Sequence, residues 1–464
     1  MEREKFRSRL GFILISVGCA VGLGNVWRFP YITGEYGGAA FVVMYLIFLV
    51  ILALPALIME FANGRASQKG IAKSFDALEP KGTKWHRWKW AALVGNYLLM
   101  MFYTVVAGWM VCYAVKGACG EFNGVDSAAS GALFDSLLAD PVTLTLFTGF
   151  VVLVGIVSTV LGLQNGVERI SKVMMFVLFA VLILLALNSL TLPGAAAGLE
   201  FYLIPDFDKL FNSPDHTFFD AMYAALGQAF FTVSVGIGSM SIFGSYLDKD
   251  RAIAGEAVRV AFLDTLVAIT AGLIIFPACF SFGVEPGAGP GLVFVTLPTV
   301  FAQMPFGDVW GTLFFIFMSF AALSTVIAVF ENIMAFSMDQ WGVSRKKAVA
   351  INGSLLFVLA LPCILGFNVL SGVVVPGIGD IQAVEDFIIS NNLLPLGALV
   401  LVLFCTSKKG WGWDSLLAEA NTGKGLKLPR FIFPYVRYVL PAIIVVLLIM
   451  GWVPTIQTWI GIGA

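Results

Sequence analysis

GFILISVGCAVGLGNVWRFPYITGEY, residues 11–36, decides the reading of this chain. It begins as an apolar helix from Gly11 to Val17. Gly18, Gly22 and Gly24 then fall within seven residues, followed by Asn25, Arg28 and Pro30. Glycine and proline both weaken a helix interior. Arginine and asparagine deep in an apolar segment are costly in lipid unless they face protein or a water-filled cavity. A membrane helix that breaks and carries polar groups at the break frees amides for an anion and carbonyls for a cation, as a transporter site requires. A glycine-rich helix packed closely on a neighbour gives the same local pattern. This stretch alone does not separate the two readings.

The composition places it in a membrane. Of 464 residues, 59% are hydrophobic and 12% charged, against roughly 25% charged in soluble domains. Net charge is −1, so nothing points to nucleic acid. The N-terminal run MEREKFRSRL has no short apolar core followed by a cleavage site, so no signal peptide is expected. Cysteines 19, 112, 119, 279, 363 and 405 show no metal spacing, and only Cys119 falls in a predicted loop, so no disulfide framework is expected. His86 and His216 are far apart, which argues against a metal site or a histidine-based catalytic set.

A spanning helix needs about 20 mostly apolar residues. Eleven segments qualify: 11–34, 39–63, 88–116, 142–161, 166–190, 217–246, 253–283, 309–341, 346–367, 381–406 and 430–455. Lys and Arg collect at 3–9, 65–89, 169 and 172, 249–259, 345–347 and 408–437. Only Arg28, Lys116 and Lys209 lie outside that set. The intervening connections, such as 117–141 and 368–386, carry acids. Basic residues mark cytoplasmic loops, so the N-terminus is expected in the cytoplasm and the C-terminus outside, in the plasma (inner) membrane.

The strongest internal signal is a second interrupted span, TFFDAMYAALGQAFFTVSVGIGSMSIFGSY at 217–246. There Ser234, Gly236, Gly238, Ser239 and Ser241 crowd the middle. The first and sixth spans are thus both broken by glycine, and five spans separate their starts, so they run in opposite directions. This predicts one all-α transporter domain over 1–464. It holds an inverted five-helix repeat, 11–190 and 217–406, with an additional helix at 430–455 and a site where the breaks meet. Other polar residues fall inside spans: Glu60, Tyr103, Thr104, Asp264, Ser319, Ser324, Thr325 and, opening the tenth, Asp386. An intramembrane carboxylate such as Asp264, without a nearby Lys or Arg, is a functional-site candidate, a protonated packing carboxyl being its bland alternative.

The runs GLGNVWRFP at 22–30, FFTVSVGIG at 230–238 and FAALSTVIAVFEN at 320–332 resemble the neurotransmitter:sodium symporters, especially bacterial amino-acid members typified by the leucine transporter. The resemblance covers nearly the whole chain. It implies two sodium ions. The first would be held by the Ala20 carbonyl, Asn25, Thr232 and Asp264, together with the substrate carboxylate. The second would be held by carbonyls of Gly18, Val21 and Ala321 and hydroxyls of Ser324 and Thr325. Such all-oxygen sets suit a hard cation.

The resemblance further implies that the substrate carboxylate meets the Leu23 and Gly24 amides, beside Gly22, and the Tyr103 hydroxyl. Its amino group would meet carbonyls near Ala20 and Phe231, and Ser234. Leu99, Tyr103, Phe231, Ile237, Thr325 and Val329 would line the side-chain pocket. Arg28 and Asp386 would form an outer gate. Arg3 and Asp339, with Tyr246 nearby, would form an inner one. Phe6 stands where the family usually has tryptophan, which implies a looser inner latch. Animal members bind chloride beside the first sodium. The matching positions here are Tyr45, Gln228, Thr232 and Asp264, whose carboxylate would supply that negative charge permanently. Amine-carrying members have Asp where this chain has Gly22, so an amino acid is the expected substrate.

The favoured reading is sodium-coupled symport of a hydrophobic amino acid by alternating access. A channel would need a continuous polar stripe, whereas the polar residues here cluster at one depth. A sensor that binds without translocating uses the same pocket, and no soluble domain accompanies it. No nucleophile–base set or phosphate loop suggests an enzyme. The sequence leaves the oligomeric state open.

Overall fold

The computed structural model describes residues 5–214, 216–284 and 291–461. Among these, nine helices are long and apolar enough to cross a membrane: Ala39–Ser67, Trp85–Ala118, Pro141–Val160, Leu163–Leu190, Ile253–Ser281, Gly307–Trp341, Arg345–Gly366, Ile381–Thr406 and Arg430–Trp459. A tenth span is the pair Arg9–Ala20 and Gly24–Glu35, bent by 56° at the break. The remaining predicted span is two short helices, Phe218–Thr232 and Ser239–Ser245, joined by non-helical chain. All eleven expected segments are therefore present, two of them in pieces.

The breaks follow from the residues. Ser8 caps the first helix by accepting from the Gly11 amide at 3.1 Å, and the helix stops at Val21, whose backbone is extended. In the sixth span, Ser234, Gly236 and Gly238 take φ of 51°, 120° and 85°. That left-handed conformation suits glycine and is rare for other residues, so helix cannot continue through 233–238.

The interrupted spans are enclosed rather than facing lipid. The most buried long helix is Gly307–Trp341, which packs along Trp85–Ala118 and touches the first, fourth and fifth spans. The second span and the far half of the sixth meet backbone to backbone. A Cβ on Gly64 would collide with the Ser241 carbonyl, and one on Gly244 with that of Phe61.

The basic segments gather at one end of the molecule. Lys5 pairs with Asp248 at 2.6 Å, Arg9 with Glu256 at 2.8 Å, and the fully buried Arg65 with Glu419 at 2.6 Å. Ile71–Leu78 and Trp413–Ala420 are extra short helices at this end.

Candidate functional site

The two breaks face each other. Ser234 Oγ donates to the Cys19 carbonyl at 3.3 Å, and Gln228 Nε2 donates to that of Gly24 at 2.9 Å. The Leu23 amide donates to the Tyr103 hydroxyl at 3.3 Å, and the Gly22 amide to Asn25 Oδ1 at 3.2 Å. A small cavity lies between them. Its walls include Gly22, Leu23 and Gly24 from the first break, Leu99 and Tyr103 from the third span, Phe231, Ser234 and Ile237 from the sixth, and Thr325 and Val329 from the eighth. Ala20 lines it too. The residues expected to hold the substrate are thus brought together, and the apolar walls carry no charge.

At one side of the cavity is a closed polar cluster. Asn25 Nδ2 donates to Asp264 Oδ1 at 2.9 Å and to Thr232 Oγ1 at 3.1 Å, and the Thr232 hydroxyl donates to Asp264 Oδ2 at 2.7 Å. All three side chains are fully buried, and no Lys or Arg among the described residues pairs with Asp264. An ionised carboxylate buried without a cation is strongly disfavoured, so this oxygen-rich cluster fits a hard cation. The expected anion-site neighbours Tyr45 and Gln228 are also wholly buried.

A second oxygen cluster involves the eighth span. Thr325 Oγ1 lies 3.3 Å from the Gly18 carbonyl, 3.4 Å from that of Cys19 and 3.1 Å from that of Val21. Ser324 Oγ donates to the Ala321 carbonyl at 2.9 Å. A hydroxyl has one proton. It cannot satisfy three carbonyls, and the lone pairs left over are what a hard cation binds. The Thr325 hydroxyl and the Gly18 and Val21 carbonyls therefore do come together, with Ala321 and Ser324 adjacent in the chain.

The residues expected at the gates take the following positions. Arg28 and Asp386 form no ion pair in this structure. The Arg28 guanidinium sits 5.1 Å from the Phe231 ring centroid, and Asp386 accepts from the Ser390 hydroxyl at 2.7 Å. At the basic end, Arg3 lies outside the described residues. Asp339 accepts from the Gly70 amide at 3.2 Å, and Tyr246 donates to Glu331 at 2.9 Å. Phe6 packs edge-on against Tyr246, with ring centroids 5.4 Å apart.

Two features escaped the sequence reading. Glu60, seen only as a polar residue ending the second span, receives the amides of Gly236 at 2.9 Å, Met240 at 3.1 Å and Ser241 at 3.4 Å. It ties the second span to the second break. Glu331 is fully buried and takes Arg345 at 2.7 Å as well as Tyr246. The rule that singled out Asp264, a carboxylate within an apolar span, would have found both.

Two broken helices enclosing an apolar pocket, flanked by oxygen clusters suited to hard cations, define a cation-coupled membrane carrier. The chain belongs to the Sodium:neurotransmitter symporter family, whose model matches residues 3–123 and 138–459. It is 38% identical over 448 residues to the sodium-dependent transporter YhdH of Bacillus subtilis, covering 96% of this chain and 97% of that one. It is 32% identical over 464 residues to a sodium-dependent transporter of Haemophilus influenzae, covering 97% and 98%. Among solved structures, MhsT in complex with L-phenylalanine is similar at a TM-score of 0.86 and 37% identity, covering 97% of this chain and all of that one. The chain is thus a multi-pass, sodium-dependent membrane transporter.

Proposed function

We propose that this protein carries a hydrophobic amino acid into the cell together with two sodium ions, by alternating access and without chloride. The carrying observation is Asp264, buried without a basic partner, hydrogen-bonded to Asn25 and Thr232 beside the pocket. One sodium would sit among Ala20, Asn25, Thr232 and Asp264. The other would sit among Gly18, Val21, Ala321, Ser324 and Thr325. The substrate carboxylate would face the first sodium, the Leu23 and Gly24 amides and Tyr103, its amino group Ser234 and carbonyls near Ala20 and Phe231. Its side chain would lie among Leu99, Ile237 and Val329. The phenylalanine bound to MhsT supports this substrate class.

Sodium would favour the outward-facing form by tying the first break to the eighth span, with Arg28, Asp386 and Phe231 closing over the substrate. Release at the basic end would require opening of the inner gate proposed for Arg3, Asp339 and Tyr246, of which Asp339 and Tyr246 are among the described residues. In this reading the basic end is cytoplasmic, the C-terminus lies outside, and the repeats are 11–190 and 217–406, with 430–455 additional.

Reconstituted proteoliposomes test the proposal. Labelled phenylalanine should accumulate above its external concentration only under an inward sodium gradient. Binding without accumulation would indicate a sensor, and substrate-independent sodium flux a channel. Either result overturns symport.

A further inference from the structure

The basic end holds a second cavity, of about 650 Å³, remote from the substrate pocket. It lies between the end of the tenth span at Thr406, the helix Trp413–Ala420 and the start of the eleventh span at Arg430. Lys408, Trp413, Asp414, Arg430 and Phe431 are among its walls. Its polar character is mainly that of a donor. The helix Trp413–Ala420 follows Gly412, so no side chain caps its first amides. Trp413 is 7% exposed, and its indole N–H has no acceptor among the described residues. Lys408 makes no ion pair among the described residues, and Arg430 reaches only the exposed Asp414, at 2.9 Å. Residues 406–438 hold six basic side chains against two acidic ones. Phe431 and Tyr438 are 82% and 68% exposed at the foot of the eleventh span. Rings and cations mixed at the end of a span are the make-up of a membrane–water boundary.

We propose that this cavity binds the phosphate of an anionic phospholipid from the leaflet on the basic side. The inference rests on the membrane reading of the fold and is independent of which solute is carried. A phosphodiester would accept from the free amides and the Trp413 indole, with Lys408 beside it and Arg430 turned from Asp414. The acyl chains would run along the exposed apolar side of the eleventh span, past Val439 and Val446. Free phosphate offers the same charge but gains nothing from Phe431 or Val439.

Native mass spectrometry of the full chain in detergent, titrated with phosphatidylglycerol, tests this. Parallel titrations use phosphatidylcholine, and phosphatidylglycerol with excess inorganic phosphate. One tight phosphatidylglycerol adduct is expected, weakened roughly fivefold by Lys408→Ala and by Arg430→Ala. Trp413→Phe, which keeps a ring but loses the N–H, should weaken it too. Asp414→Asn frees Arg430 at an exposed position and should tighten the adduct, so it decides the matter even if another variant fails to fold. Equal affinity for phosphatidylcholine, removal by inorganic phosphate, or an adduct unchanged across all the variants would overturn the proposal. None of these results bears on sodium-driven uptake.

Discussion

The carboxylate of Glu60 holds the backbone of Gly236, oxygen to amide at 2.9 Å, and so joins the second span to the interruption of the sixth. Both its oxygens are used, the other by Met240 and Ser241. Glu60→Gln would remove the charge and turn an NH2 donor toward those amides. Hydrogen bonds to a charged group contribute about 1.5–3 kcal/mol each. Initial uptake should fall at least about tenfold at matched expression. Rates within about twofold of wild type would show that the clamp is dispensable.

Gly24 lies under Phe231, where an added Cβ would stand 2.6 Å from the ring. On Gly22 it would strike the Tyr103 hydroxyl and stand 2.9 Å from Thr325 Oγ1. Each alanine variant should therefore weaken phenylalanine binding, by roughly 1–3 kcal/mol if overpacking is relieved locally. Equilibrium binding of labelled substrate measures this. Gly24→Ala combined with Phe231→Leu should regain part of the loss.

With Asp264 present, uptake in gluconate medium should match that in chloride. Asp264→Asn or Asp264→Ser removes the fixed negative charge beside Asn25 and Thr232, and chloride should then stimulate uptake. A wild type that stops in gluconate would refute the chloride-free reading.

Arg28 rests on Phe231 without an ion pair to Asp386. Arg28→Ala and Asp386→Ala should each reduce transport strongly while lowering the melting temperature little, since a vestibule-facing charge is partly solvated. If both variants transport normally at matched expression, neither residue closes the pathway.

Glu331→Ala would leave the Arg345 guanidinium in a mostly buried position without its carboxylate. Breaking one side of a buried pair costs about 3–5 kcal/mol. The variant should melt well below wild type in thermal-shift assays, and Glu331→Asp should lose less.

The spans were legible because twenty apolar residues in a row have few other uses. The first break was legible because glycine, asparagine, arginine and proline crowd one stretch that lipid would not otherwise accept. Asp264 stood out for the same reason. Glu60 sits in the same kind of place, but its role was not legible, because its partners are backbone amides about 176 positions away, and every non-proline residue has an amide. No side-chain pattern marks such a bond. The Arg28 contact was also illegible. Sequence pairs an arginine with a carboxylate, but whether it rests on that carboxylate or on a ring depends on how far apart the spans stand.

Gly64 against Ser241, and Gly244 against Phe61, bring two main chains together with no side chain between them. Two rods pressed together this way cannot slide or roll past one another, because every step would drive one carbonyl into the other's path. The second span and the stretch Ser239–Ser245 are therefore expected to travel as a single lever arm. Glu60, on that same span, also holds the Gly236, Met240 and Ser241 amides, so the arm reaches back into the interruption itself. The interruption in the sixth span then serves as more than a place for ligands. It is also where that arm is fastened, through the amides that Glu60 holds.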